Sequence, residues 1–321
     1  MKEAPEVKSI ILGTRGSALA LAQAEMAESA LRAVFPDLDI KRRVIKTTGD
    51  RRTDIPLSEV ARAADMDKGV FTKELEVSLQ NGDIDIAVHS LKDMPSLLDE
   101  EFSIAAVLPR ASRKDVLIGK ESGGLEGLRR GAKVATSSVR RRRLLESIRP
   151  DLEIVDIRGN VPTRIRKLRE SEELEGLLLA KAGLCRLELL HDGVVDSGGE
   201  VLYVEELDET VFVPAAGQGA VGLEIRSGDM NALNACKKVN DGNTMRVVAA
   251  ERRFLALLGA GCETPVGVAA EIEEGGEIRL RAVVFEDGEN VPLRGEVLGS
   301  GDDPEGMAVK LLAAMKDSRS S

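Results

Sequence analysis

From Ser9 onward, short apolar runs alternate with polar turns and with stretches whose apolar positions recur at helical spacing. Ile10-Ile11-Leu12 leads into Gly13-Thr14-Arg15-Gly16-Ser17, and then Leu19, Ala22, Met26 and Ala30 follow three or four residues apart. The change of period predicts a strand, a turn and an amphipathic helix. Ser17 is placed to cap that helix, because its hydroxyl can accept from an unpaired amide of the first turn. The same arrangement returns at Lys133 to Ser138 ahead of a helix carrying Arg140, and at Leu152 to Arg158 ahead of Asn160-Val161-Pro162, where Asn and Pro suit a helix start. A fourth strand is predicted over Asp83 to Ser90, ending on Leu91-Lys92-Asp93-Met94-Pro95. All four bring polar residues to a strand's C-terminal end. Open α/β sheets bind ligands there, since helix N-termini point positive partial charge into the crevice.

The rest of the chain reads as two further units. Pro109 to Arg113 is expected to cross between domains, Asp192 to Glu200 to form a surface turn, and Gly217 to Asn240 to supply another strand and helix. A helix over Thr244 to Leu258, an alternating Ile278, Leu280, Ala282, Val284 strand with an Asp287-Gly288 turn, and an amphipathic helix from Asp303-Pro304 through Met315 make a small α+β unit. Gly217-Gln218-Gly219-Ala220-Val221-Gly222 matches the G-x-G-x-x-G dinucleotide pattern. It leads into a strand rather than opening a helix, so a close backbone approach or a domain crossover is the better reading.

With 321 residues, 43% apolar and 31% charged, the chain can build two or three compact domains. Its formal charge is −10, yet Arg129 to Arg169 holds thirteen Lys and Arg against four Asp and Glu. Such a local field concentrates an anionic partner. Nucleic acid is one use of it, but with 2% aromatics and no Trp the stacking platforms of single-strand binders are missing; a phosphate-only binder stays open. The charged start from Met1 to Lys8 and the lack of an apolar run of spanning length lead us to expect a cytoplasmic protein with no membrane partner. Three cysteines and two histidines in no ligand spacing indicate neither a disulfide framework nor a metal site.

Four consecutive helical residues point about 100° apart, so at most two of Arg140 to Arg143 can share a ligand. Arg140 and Arg141, nearest the helix start, are expected to face it and Arg142 and Arg143 to face solvent. His89, on an apolar strand, reads as structural. Lys92-Asp93 could be a self-neutralising turn, but an aspartate beside an arginine-rich crevice suits cationic chemistry: at about 4 Å and an effective dielectric of 20 it stabilises a positive charge by roughly 4 kcal/mol. Cys185 and Cys236 sit in helical runs as semi-buried residues. Cys262, framed by Gly259, Gly261 and Pro265 after a helix end, could be reactive or structural.

Taken together, the chain resembles the porphobilinogen deaminase (hydroxymethylbilane synthase) family. The resemblance is carried by Leu12 to Ser17 with Leu19 to Gln23, Lys68-Gly69-Val70-Phe71-Thr72-Lys73-Glu74, Asp85 to Pro95, Thr136-Ser137-Ser138-Val139-Arg140-Arg141, Arg158-Gly159-Asn160-Val161 and Gly217-Gln218-Gly219-Ala220. It implies an α/β fold: two doubly wound, periplasmic-binding-protein-like domains (1–108 with 216–240, and 109–215) and a small α+β C-terminal domain (241–321). It implies a transferase of tetrapyrrole and heme biosynthesis that deaminates four porphobilinogen molecules and joins them head to tail, releasing hydroxymethylbilane. The dipyrromethane cofactor would be attached through Cys262, Asp93 with Lys92 would be catalytic, and Ser90, Thr136, Ser138, Arg140, Arg141, Arg158 and Arg164 would hold the cofactor. Arg15, Phe71, Arg186 and Lys68 would meet substrate, so the partners are porphobilinogen and linear oligopyrroles, not nucleic acid, and a monomer is expected. The alternative is an anion- or nucleic-acid-binding protein on the same scaffold. Leu258-Gly259-Ala260-Gly261-Cys262 departs from the family's two glycines directly before the cysteine, and Pro162 stands where a flexible or acidic residue is commoner.

Overall fold

Side-chain oxygens set the helix starts. The Ser17 hydroxyl accepts from Ala20 N and opens α1 (Ala18–Val34), Ser138 accepts from Arg141 N and opens α4 (Val139–Ile148), and the Asn160 side chain accepts from Thr163 N and opens α5 (Val161–Glu170). Each follows a strand: β1 (Ser9–Arg15), β6 (Lys133–Ala135) and β7 (Glu153–Val155) respectively. These are the strand, turn and helix units expected from the periodicity, although β7 is shorter than Leu152 to Arg158. The computed structural model describes residues 8–47, 49, 71–259, 264–286, 288–289 and 291–317.

Three sheets organise the chain. The first has the order β2-β1-β3-β11-β4, from β2 (Asp39–Ile45), β3 (Ile86–Ser90), β4 (Phe102–Val107) and β11 (Val221–Arg226). β1 is parallel to β2 and β3, whereas β11 returns antiparallel between β3 and β4. Ile10, Leu12, Ile86, Val88 and Leu223 pack with Ala27 and Leu31 of α1 and Ala235 of α7 (Met230–Val239). Ile84, Ala87 and Phe102 pack with Leu75 and Leu79 of α2 (Lys73–Gln80) on the other face. Burying both faces explains the continuous apolar runs of these strands.

The second sheet, β7-β6-β8-β5-β10-β9, repeats the plan with β5 (Asp115–Gly119), β8 (Leu174–Ala180), β9 (Val194–Ser197) and β10 (Glu200–Glu206). Leu144 and Leu145 of α4 cover one face, while Ile165 and Leu168 of α5 and Leu184 of α6 (Lys181–Arg186) cover the other. A short α3 (Gly124–Gly127) follows β5. The expected surface turn at Asp192 to Glu200 is instead part of a hairpin. Ser197 pairs with Glu200, and Gly198 and Gly199 both take positive φ in the two-residue loop, the backbone such a hairpin needs.

α8 (Gly242–Leu258) and α9 (Pro304–Asp317) cover a three-stranded antiparallel sheet of β12 (Val266–Ile272), β13 (Ile278–Val284) and β14 (Leu293–Gly299). Asp287 of the expected turn lies outside the described residues. The chain leaves the first sheet after β4 and returns to it at β11, and the two crossings run side by side: Leu108 N donates to Val221 O and Ala111 N to Gly219 O. Glu251 of α8, fully buried, binds both. Its carboxylate accepts from Arg110 at 2.8 and 2.9 Å, from Gly217 N at 2.7 Å and from Ala270 N of β12 at 2.8 Å. One side chain thus ties the third sheet to both crossings.

Candidate active site

The C-terminal ends of the parallel strands meet at one crevice. β1 delivers Arg15, β3 delivers Ser90 and a 3-10 turn of Leu91 to Asp93, β6 leads to Thr136 and Ser138, and β7 to Arg158. α6, directly after β8, carries Arg186, and Asp115 opens the antiparallel β5 opposite Ala180, at the same edge. The two halves touch beside it. A Cβ placed on Gly183 of α6 would lie 3.6 Å from Val161 at the start of α5 and 3.9 Å from Leu19 at the start of α1.

Arg140 and Arg141 both turn inward and are buried, and they arrive paired with an acid. Asp115 is fully buried and accepts from Arg140 Nη1 at 2.7 Å, from Arg141 Nε at 2.9 Å and Nη2 at 2.7 Å, and from Gln218 Nε2 at 2.9 Å. Burial alone would raise its pKa, yet the Arg140 and Arg141 charges and their hydrogen bonds outweigh it and hold the carboxyl well below the usual carboxylate range. Arg140 also donates to Val213 O and Arg141 to Leu178 O. Arg140 Nε remains buried and without a hydrogen-bond partner among the described residues, as does Arg186 Nε.

Across the crevice, Lys92 keeps one side open to solvent while protein crowds it on the others. That desolvation, with the Arg141 and Arg140 charges, lowers its ammonium pKa to about 8, against the opposing pull of Asp93 and Asp115. Arg164 Nε donates to Gly159 O at 2.7 Å, and burial with the Arg141 and Arg158 charges lowers its pKa to about 10, while Asp93 and Asp156 pull the other way. Lys92 and Arg164, together with the charged groups acting most strongly on them, comprise five cations (Lys92, Arg140, Arg141, Arg158 and Arg164) and three carboxylates (Asp93, Asp115 and Asp156). The site is electropositive: Asp115 is buried, Asp156 is exposed beside Arg142, and Asp93 is partly exposed among the cations.

The remaining expected residues divide. The Arg15 guanidinium lies 4.0 Å from the centroid of the Phe71 ring, a cation-π pair at the mouth of β1. Ser90 Oγ and the buried Gln23 amide are hydrogen-bonded at 2.8 and 3.1 Å, joining the end of β3 to α1. Thr136 Oγ1 is buried and accepts from Ser138 N at 3.2 Å, so with the Ser138 cap it shapes the turn that aims Arg140 and Arg141. Arg186 donates to Gly219 O at 2.6 Å. Lys68 and Cys262 lie outside the described residues.

Residues 10–234 match the family model "Porphobilinogen deaminase, dipyromethane cofactor binding domain", and residues 245–317 match "Porphobilinogen deaminase, C-terminal domain". The chain belongs to the porphobilinogen deaminase family. It is similar to the porphobilinogen deaminases of Syntrophomonas wolfei (42% identical, covering 87% of this chain and 85% of that one), Roseiflexus sp. strain RS-1 (40%; 97% and 96%) and Rubrobacter xylanophilus (42%; 95% and 93%). The methionine binding protein MetQ superposes with a TM-score of 0.43 at 13% identity, covering 77% of this chain and 96% of that chain.

In this porphobilinogen deaminase family member, Arg142 and Arg143 point away from the crevice without being plain solvent charges. Arg142 donates to Ile154 O at 2.8 Å, and Arg143 bonds Glu289 O and lies 5.2 Å from the Phe285 ring. Asp115, Gln218 and Gln23 were not anticipated. Gln218 stands in the glycine-flanked crossing and is fully buried there. His89 is structural as expected, its ring 2.9 Å from the buried Glu224 carboxylate. Cys236 is buried, its thiol pushed up to about 12 by burial, whereas Cys185 is exposed rather than semi-buried. No group of three or more metal-ligating residues occurs among the described residues, and none of the described helices is long and apolar enough to cross a membrane.

Proposed function

We propose that this crevice deaminates porphobilinogen and joins four molecules of it head to tail, releasing hydroxymethylbilane. The supporting observation is the excess of cations around the partly exposed Asp93, with buried donors still unmatched at Arg140 Nε and Arg186 Nε among the described residues. Pyrroles bearing an acetate and a propionate supply the missing acceptors, so the residues present fit both a dipyrromethane and its substrate. Arg140, Arg141, Arg158 and Arg164, with Thr136 and Ser138 shaping their turn, hold the cofactor's carboxylates beside Ser90. Arg15, stacked on Phe71, takes an incoming carboxylate with Arg186 and Lys68. When bound through Cys262, the dipyrromethane supplies the pyrrole carbon to which the first unit is joined.

Asp93 faces the positive charge that develops as ammonia leaves, and a fixed carboxylate in a partly desolvated site needs no reorganisation to stabilise it. Lys92, with a pKa near 8, stays mostly protonated at neutral pH and moderates Asp93. The sheets support a division into 1–108 with 216–240, 109–215 and 241–321, with chemistry on the first part, carboxylate binding on the second and the cofactor-bearing cysteine on the third. The enzyme works in the cytoplasm as a monomer and binds no nucleic acid.

Intact-protein mass tests this reading. Active protein should exceed its sequence mass by one covalent dipyrrole, and Cys262→Ala should abolish the excess. A bare polypeptide mass from active protein would overturn it.

A further inference from the structure

Gln218 is fully buried in the return crossing, and its contacts lead in two directions. Its Nε2 donates to Asp115 Oδ1 at 2.9 Å and to Arg113 O at 2.7 Å. An ionised carboxylate and a carbonyl can only accept, so the amide has one orientation and Oε1 is the end facing Lys92 Nζ, 3.4 Å away. The flanking glycines make this reach possible. Gly217, at φ 67°, sits where a Cβ would come 3.2 Å from the Leu91 backbone, and Gly219, at φ 83°, where one would come 2.5 Å from Ala111 O. The Gln218 carbonyl accepts from Arg110 Nε at 2.9 Å, fixing the backbone from the other crossing.

We infer that Gln218 is a positioning residue that holds the Lys92 ammonium beside Asp93 and couples it to the Arg140–Asp115–Arg141 cluster on the other half of the molecule. The negative end of its amide dipole offsets the Arg140 and Arg141 charges that oppose an ammonium at Lys92. Asp115, at the amide's positive end, keeps that dipole aligned. Its catalytic meaning rests on the function proposed above; the coupling itself does not.

Opposite substitutions should therefore shift Lys92 in opposite directions, which a loss of packing would not do. Acetylation of Lys92 by acetic anhydride at pH 7, read by peptide mass spectrometry against the exposed Lys237, should speed up roughly twofold to threefold in Gln218→Leu, where more amine is free, and slow by a similar factor in Gln218→Glu. Rates that move in the same direction in both variants, or in neither, overturn the coupling. Turnover of the same samples should show Gln218→Leu lowering kcat more than it raises KM, and an unchanged kcat overturns the positioning role. If the unsubstituted protein consumes no porphobilinogen, the proposed function fails instead, whatever the labelling shows.

Discussion

The inner and outer faces of the basic segment carry the same residue types to different ends. Arg140 and Arg141 are buried against Asp115 with defined donors on each oxygen, whereas Arg142 and Arg143, the next two residues on the same helix, tie down carbonyls on the outside. Farther out, Lys133 pairs with Glu173 and Arg149 with Asp151 at the surface. Much of the island is thus answered locally by acids. What remains for a ligand is a handful of inward cations, and among the described residues their buried counter-charge is Asp115, supplied from β5. A charge run becomes a site when helical period and a remote acid select part of it.

Removing that acid should have the largest effect. Asp115→Asn leaves two buried guanidinium groups without a counter-charge and should cost about 3–5 kcal/mol in urea unfolding at pH 7; a loss under 1 kcal/mol would mean the inner pair is not held by charge. Because the folded-state pKa of Asp115 is depressed, its contribution is complete above the unfolded value near 3.8 and is lost only as pH falls through the lower folded value. The stability gap between wild type and Asp115→Asn should therefore stay constant from pH 7 to about 4 and narrow only in stronger acid. Narrowing already at pH 5 would contradict the assignment.

Asp93, the acid facing that inner side from across the crevice, should behave differently. Asp93→Asn is expected to reduce turnover about a thousandfold, the rate equivalent of roughly 4 kcal/mol, while leaving the unfolding midpoint in place; near-normal steady-state rates would remove it from the chemistry. On the outer face, Arg142→Gln loses the bond to Ile154 O and should cost about 1 kcal/mol with turnover intact. Lys133→Gln should give no measurable change in Tm, since exposed pairs contribute little. An outer substitution that rivals Asp115→Asn in stability would erase the distinction between the faces.

Helix starts were legible in the sequence because capping is local: Ser17, Ser138 and Asn160 each bond an amide three residues on, inside any reading window. The sheet-edge arginines were legible for the same reason, being placed by the strand before them. Asp115 was not, since it meets Arg140 and Arg141 from 25 and 26 residues away and looks like any acid at a strand start. Gln218 joins Lys92 across 126 residues, a distance at which only folded geometry speaks. The β9–β10 hairpin was legible in principle, because Gly198-Gly199 between Val194-Val195 and Val201-Leu202 is a two-residue turn signal, but polar residues on both sides masked the alternation.

The position of β11 also sets an order of events during synthesis. It is an interior strand of the first sheet, between β3 and the edge strand β4, yet β4 ends at Val107 and β11 begins at Val221. A ribosome adding about 5–20 residues per second takes on the order of ten seconds to cover that interval. Throughout it β3 and β4 emerge with facing edges unpaired, while every strand of the second sheet, from Asp115 to Glu206, is delivered in one uninterrupted stretch. The half of the crevice that carries Arg140 and Arg141 can therefore close first, and the half that carries Asp93 is completed around it.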